Sequence, residues 1–296
     1  LEGLSFIFGK KGGIDYRKTY KKANVRRLIG EIRELPVTDY DFVINDFEPV
    51  SAWACYRKKV PCISLSHQAS LLDKNTPKPV HKDPMGSFLL KNYAPSSYYL
   101  GFHFSRYSNQ IYTPVIRKEI REGDRSDKGH YVVYLPAYDE KALIKVLRKI
   151  SDVNWHIFSK HTRVAVEVNN IQVKPVSEQA FLDSLLSCKG VLCGAGFETP
   201  AEALFLGKKL MVVPMPDQYE QQYNAAALKT MGVPVIRKVR TSQTEKIAEW
   251  VSSDFRIEIT YPDMTDRIIN RIFEMYVEGE LPKGKWKEKF RMQLKI

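Results

Sequence analysis

The stretch Gly190-Val-Leu-Cys-Gly-Ala-Gly-Phe-Glu-Thr-Pro-Ala-Glu-Ala-Leu204 reads as a buried strand, a glycine turn and the first turns of a helix. This order presents backbone N–H groups to a phosphate. Thr199 suits the N-cap, Pro200 the first helical position and Glu202 the third, so the spacing predicts a capping box whose positive dipole end faces the turn. Gly194 and Gly196 let a ligand approach the backbone.

Working outward, strands and helices alternate on both sides. Upstream, Asp41–Asn45 reads as a strand, Pro49–Arg57 as a helix opened by proline, and Pro61–Leu65 as a second strand, which makes a βαβ unit. Asp73–Pro84 reads as a loop, and Lys118–Gly129 is charged and aperiodic. A domain boundary is placed there. Beyond it come strands at Tyr131–Leu135, Trp155–Phe158, Ile171–Val173, Val191–Cys193, Leu210–Val213 and Val233–Ile236, separated by helices at Glu140–Ile150, Glu178–Ser187 and Tyr219–Met231. Two helices, Thr244–Ser252 and Met264–Glu278, close the pattern. Such spacing means α/β architecture with parallel sheets, which bind ligands at the carboxyl ends of their strands. The expected division is 1–117, 118–262 and a C-terminal helix with basic tail, 263–296.

The 296 residues suffice for two domains, and an apolar fraction of 44% argues against disorder. No apolar run approaches a membrane span and Leu1–Gly12 does not read as a signal peptide, so a soluble cytoplasmic protein is expected. Cys55, Cys62, Cys188 and Cys193 sit among apolar neighbours without C-x-x-C spacing and read as reduced core thiols. The net charge of +12 resides in two stretches, residues 10–33 (+7) and 283–296 (+5). This argues against a nucleic-acid-binding surface. The two stretches read either as solvated faces or as elements drawn to anionic lipid, the second placing the protein peripherally at the inner face of the membrane.

The run Gly194–Ala226, with Pro214-Met-Pro-Asp-Gln-Tyr-Glu-Gln-Gln-Tyr-Asn224 at its end, resembles the donor-binding signature of nucleotide-sugar glycosyltransferases with the GT-B fold. Within them it is most similar to the bacterial subgroup related to the peptidoglycan lipid-intermediate N-acetylglucosaminyltransferase. Tyr40–Ala54 and Pro61–Gln68 are similar to that subgroup's acceptor-side domain. The resemblance implies two Rossmann-like domains around a cleft and inverting, metal-independent transfer of a hexosyl or N-acetylhexosaminyl group, with no cofactor. The donor would be a nucleotide-diphosphate sugar, a UDP-sugar by this resemblance, and the acceptor an unidentified glycan, lipid or small molecule of the cell envelope. Gly194, Ala195, Gly196, Phe197 and Thr199 would hold the diphosphate, Glu202 the ribose hydroxyls, and Gln218, Glu220 and Gln221 the sugar. Asp46, Glu48, His67 and Gln68 would lie on the acceptor side.

The general base is unassigned at this level. The family's usual base follows a glycine-rich loop in the N-terminal domain, and the chain opens inside that domain, with on the order of 60 to 80 residues of an ordinary domain absent. His67 and Asp46 remain candidates because they lie at or beyond strand carboxyl ends. Asp46 is also placed to cap the helix near Pro49. Asp39-Tyr40-Asp41 matches a metal-binding D-x-D but precedes a strand where that motif should follow one. Gly194-x-Gly-x-x-Thr199 lacks the third small residue of a dinucleotide fingerprint. A nucleotide-sugar epimerase and a non-catalytic nucleotide-sugar-binding protein are the alternatives on this architecture.

Overall fold

The computed structural model describes residues 24–80 and 83–281. A first sheet is wholly parallel, in the order β1 (Val43–Asn45), β2 (Cys62–Ser66), β3 (Tyr98–Phe102), β4 (Ile111–Tyr112). Around it run α1 (Val25–Glu34), α2 (Pro49–Lys58), the single turn α3 (His67–Ser70) and α4 (Pro84–Tyr93), followed in the chain by α5 (Lys118–Arg121). Pro49 and Pro84 each stand at the first position of their helices, where the missing N–H has no partner to lose. Sequence reading took the region before Pro84 as a loop and passed over α4, which Asp83 caps by accepting from the Gly86 amide at 2.9 Å.

The second sheet has six strands in the order β10-β9-β5-β6-β8-β7. These are β5 (Tyr131–Tyr134), β6 (Trp155–Ser159), β7 (Val166–Val168), β8 (Ile171–Pro175), β9 (Gly190–Gly194) and β10 (Lys209–Val213); only β7 runs antiparallel. Its helices are α6 (Glu140–Leu147), α7 (Glu178–Ser187), α8 (Glu198–Phe205), α9 (Tyr219–Thr230), α10 (Thr244–Ser252) and α11 (Thr265–Val277). The two faces of this sheet differ. On one, the cross-strand row Met211, Leu192, Val133, Ile157, Val173, Val166 is apolar from end to end. On the other, Leu210, Val191 and Val132 are followed by His156, Gln172 and Glu167, so the apolar face stops at β6.

The strand expected at Val233–Ile236 is reduced to one parallel bridge, Val212 to Val235. Pro234 has no N–H to extend the ladder, although its carbonyl accepts from Val212. The charged segment 118–129 is not structureless, since it contains α5, with Ile120 wholly buried.

The chain crosses between the sheets twice. Phe104, Ile116 and Ile120 already belong to the apolar cluster of the second sheet, with Val132, Leu185 and Leu204. In return, Ile268, Ile272 and Met275 on one stripe of α11 pack on Ile63, Leu100 and Tyr112 of the first sheet. Burying such side chains contributes roughly 1.5–3 kcal/mol each, so α11 straps the two layers together. All four cysteines are buried and unpaired. No helix among the described residues is long and apolar enough to cross a membrane. The basic tail at 283–296 and the part of the basic stretch from 10 to 23 lie outside the described residues.

Candidate functional site

The glycine turn and α8 stand at the carboxyl end of β9, the second strand from one side of the second sheet. The helix starts earlier than the capping box predicts. Glu198 is its first residue, Phe197 is the N-cap, and no side chain caps it. Thr199 and Pro200 are therefore second and third. Proline is tolerated there because the first N–H groups of a helix have no intrahelical acceptor. The consequence is an uncapped helix N-terminus at a partly exposed turn. A Cβ built at Gly196 would meet nothing within 4 Å, and one at Gly194 would meet only the Gln221 amide, at 3.6 Å.

Glu202, moved from third to fifth position, has no capping role. The residue is 4% exposed, and its carboxylate is held by Arg117, with Nε to Oε1 at 2.6 Å and Nη2 to Oε2 at 3.2 Å. Burial pushes the carboxyl above its ordinary range, and the guanidinium pulls it back only in part. Arg117 escaped sequence reading. It precedes α5 in the crossing segment, and nothing local pairs it with a residue in a different βα unit.

The start of α9 faces the turn. Gln221 accepts from the Met215 amide at 2.9 Å and Gln222 donates to the Met215 carbonyl at 2.9 Å, so the two glutamines clamp the preceding turn. In that turn Asp217 adopts a left-handed φ of 61°. Gln218 is the N-cap, but its side chain does not cap and its Oε1 is buried without a partner. Asn224, 1% exposed, donates to the Ala195 carbonyl at 3.2 Å and ties α9 to the glycine turn.

The first sheet contributes the opposite wall. Ser66 ends β2 and caps α3 by accepting from the Ala69 amide, which places His67 as the first helical residue. The His67 ring stacks on Phe197, with centroids 4.9 Å apart and planes 4° from parallel. Its Nε2 lies 3.1 Å from Oε1 of Glu220, whose Oε2 accepts from Gln68 at 3.4 Å. Residues expected on the acceptor side, His67 and Gln68, thus meet residues expected on the donor side, Phe197 and Glu220, in one seam. Behind it, His103 is fully buried, accepts from the Phe104 amide at Nδ1, and leaves its Nε2 without a partner. Burial pushes this imidazole down to about 3, with His67 adding to the effect.

Asp46 and Glu48 do not join the seam. Asp46 is exposed beyond β1. Glu48 caps α2, accepting from the amides of Val50 and Ser51 at 2.7 Å. Its carboxylate is engaged as the helix cap, so the cap expected of Asp46 belongs to Glu48. Asn45 braces the turn by accepting from the Glu48 amide, and Glu48, the residue immediately before Pro49, places its carboxylate over the first amides.

The profile of glycosyl transferase family 1 matches residues 17–253. No curated protein matches the chain. Among solved structures the chain is similar in fold to the Arabidopsis thaliana protein UGT89C1 complexed with UDP, with a TM-score of 0.56 and 15% identity over 93% of this chain and 78% of that one. It is also similar to the calicheamicin glycosyltransferase CalG4 (TM-score 0.52, 13% identity, 90% and 82% covered). The glycotransferase of kitacinnamycin resembles it to the same degree (0.52, 15%, 90% and 82%). These likenesses agree with the two-sheet architecture and establish the GT-B fold.

Proposed function

The chain belongs to glycosyl transferase family 1, and from that premise we propose that it transfers a hexosyl or N-acetylhexosaminyl group from a UDP-sugar to an acceptor hydroxyl, with inversion and without a metal. The carrying observation is the uncapped start of α8 at an open glycine turn, opposite His67 and Glu220. The first-turn amides and the helix dipole suit a diphosphate and stabilise the charge that develops as it leaves. UDP is also the nucleotide bound in the plant structure of the same fold. Gln218, Glu220 and Gln221 are assigned to the sugar, and Glu202 to the ribose through the lone pairs that Arg117 leaves open.

His67 is assigned as the base. Glu220 fixes the proton on Nε2, which leaves the Nδ1 lone pair to take the acceptor's proton. The freed oxygen attacks the anomeric carbon, the bond from that carbon to the diphosphate oxygen breaks, and its electron pair departs with UDP. In the finer reading, the chain belongs to the envelope-polysaccharide subgroup and works at the inner face of the membrane.

Thermal unfolding with UDP in EDTA tests the donor site. Ligand at a hundredfold excess over its Kd should add about 2.7 kcal/mol of stability. No shift at millimolar UDP, or a shift that requires a divalent cation, defeats the reading.

A further inference from the structure

A second polar site lies away from the glycine turn, where the mixed face of the second sheet stops being apolar. A groove of about 560 Å³ opens between α7 and the outer strands β6, β8 and β7. Its floor is His156, Gln172 and Lys174, which follow Val132 and Val191 across a face that is otherwise core. Its wall is one stripe of α7 containing Ala180, Asp183, Ser184 and Ser187.

The groups inside are organised. The rings of His130 and His156 stack with centroids 3.9 Å apart. Ser184 Oγ lies 3.0 Å from Nε2 of His130 and 2.9 Å from Nδ1 of His156. Lys174 Nζ lies 3.3 Å from that same Nδ1. The half-buried ammonium therefore donates to a neutral imidazole, and among the described residues no carboxylate forms an ion pair with Lys174 or Lys128. A partly desolvated cation without a counter-charge is costly, which applies to Lys174, whereas Lys128 is exposed. The two acids at the rim, Glu167 on β7 and Asp183 on α7, are exposed, and Asp183 accepts from Gln179 at 2.7 Å.

We propose that this groove is a second ligand site, built for the oxyanion of a small phosphate- or carboxylate-bearing molecule, with Lys174, His156 and Gln172 as its floor donors and Lys128 at its mouth. The site is independent of the donor assignment. Burial pushes His156 down to about 3 and lowers His130, and the neighbouring Lys174, Lys128 and Lys208 act in the same direction, so both imidazoles are neutral near pH 7. A bound anion reverses that balance and favours their protonated forms.

Nuclear magnetic resonance of the imidazole protons of His130 and His156, titrated at constant ionic strength with inorganic phosphate and separately with glucuronate, tests the site. Saturable shifts of both rings are expected with at least one probe. The probe that saturates distinguishes a phosphorylated from a carboxylated source. Lys174→Met should weaken that binding at least tenfold while UDP binding stays unchanged, which also shows the variant to be folded. Absence of saturable shifts with both probes, or equal affinity in Lys174→Met, overturns the proposal.

Discussion

Arg117 and Glu202 are 85 positions apart and form a two-bonded ion pair that joins the crossing segment to the helix at the glycine turn. The partners are unequally buried, with side-chain exposures of 42% and 6%. Removing the arginine strands a buried carboxylate, whereas removing the carboxylate leaves an arginine that water can reach. Arg117→Ala should therefore cost about 2–3 kcal/mol in chemical denaturation, and Glu202→Gln clearly less. If Glu202 also accepts from the ribose, Glu202→Gln weakens UDP binding roughly 10- to 100-fold by calorimetry. Unchanged UDP affinity in a folded Glu202→Gln assigns the residue to the ion pair alone.

Gly101 sits where β3 passes under α3. A Cβ there would lie 2.7 Å from the Ser70 amide nitrogen and 2.8 Å from its Cα, so backbone must move, and that backbone holds His67. Gly101→Ala is expected to destabilise by about 1–3 kcal/mol and to lower transfer while leaving UDP affinity close to that of the parent. A variant with parental stability would show that α3 shifts freely.

The His67 and Glu220 pairing separates base work from binding. With an acceptor identified by screening UDP release, His67→Gln should lower kcat roughly 10²- to 10⁴-fold, the range of a lost general base. Glu220→Gln should lower it less and alter the pH profile, because the neutral amide still accepts from Nε2 but no longer stabilises an imidazolium. Parental kcat in His67→Gln would move the base elsewhere in the protein.

His103 makes stability depend on pH in one direction. Its folded value near 3 lies below the ordinary 6.5, so the unfolded chain takes up the proton first. The contribution is fully present above pH 6.5 and is lost as pH falls toward 3. Between pH 7.5 and 5 the loss is about 2 kcal/mol. His130 and His156 act with the same sign, so the readout is the difference between the parent and His103→Gln in denaturation at both pH values. An equal loss in the two proteins would remove His103 as a contributor.

Most βα units were legible because their information is local. Val191–Cys193, Leu210–Val213 and Tyr131–Leu135 are short apolar runs set between helices of regular periodicity, and each forms its strand within a residue or two of the expected limits. The cap was misread for a local reason as well. Thr199, Pro200 and Glu202 satisfy the spacing rule, yet the helix is capped two residues before Thr199, at Phe197, whose ring packs onto His67, Phe104 and His103.

By itself the sequence determined the alternation of strands and helices and the glycine turn with its following helix, because periodicity, proline placement and glycine act over a few residues. Only the tertiary structure decided that Arg117 neutralises Glu202, that His67 meets Glu220 across the seam, that Glu48 is a cap, and that His130, His156 and Lys174 share one groove. Each of these depends on sheet order and on two chain crossings, which bring together charges and rings from distant segments. Their energies come from burial and pairing after folding, and no spacing along the chain encodes them.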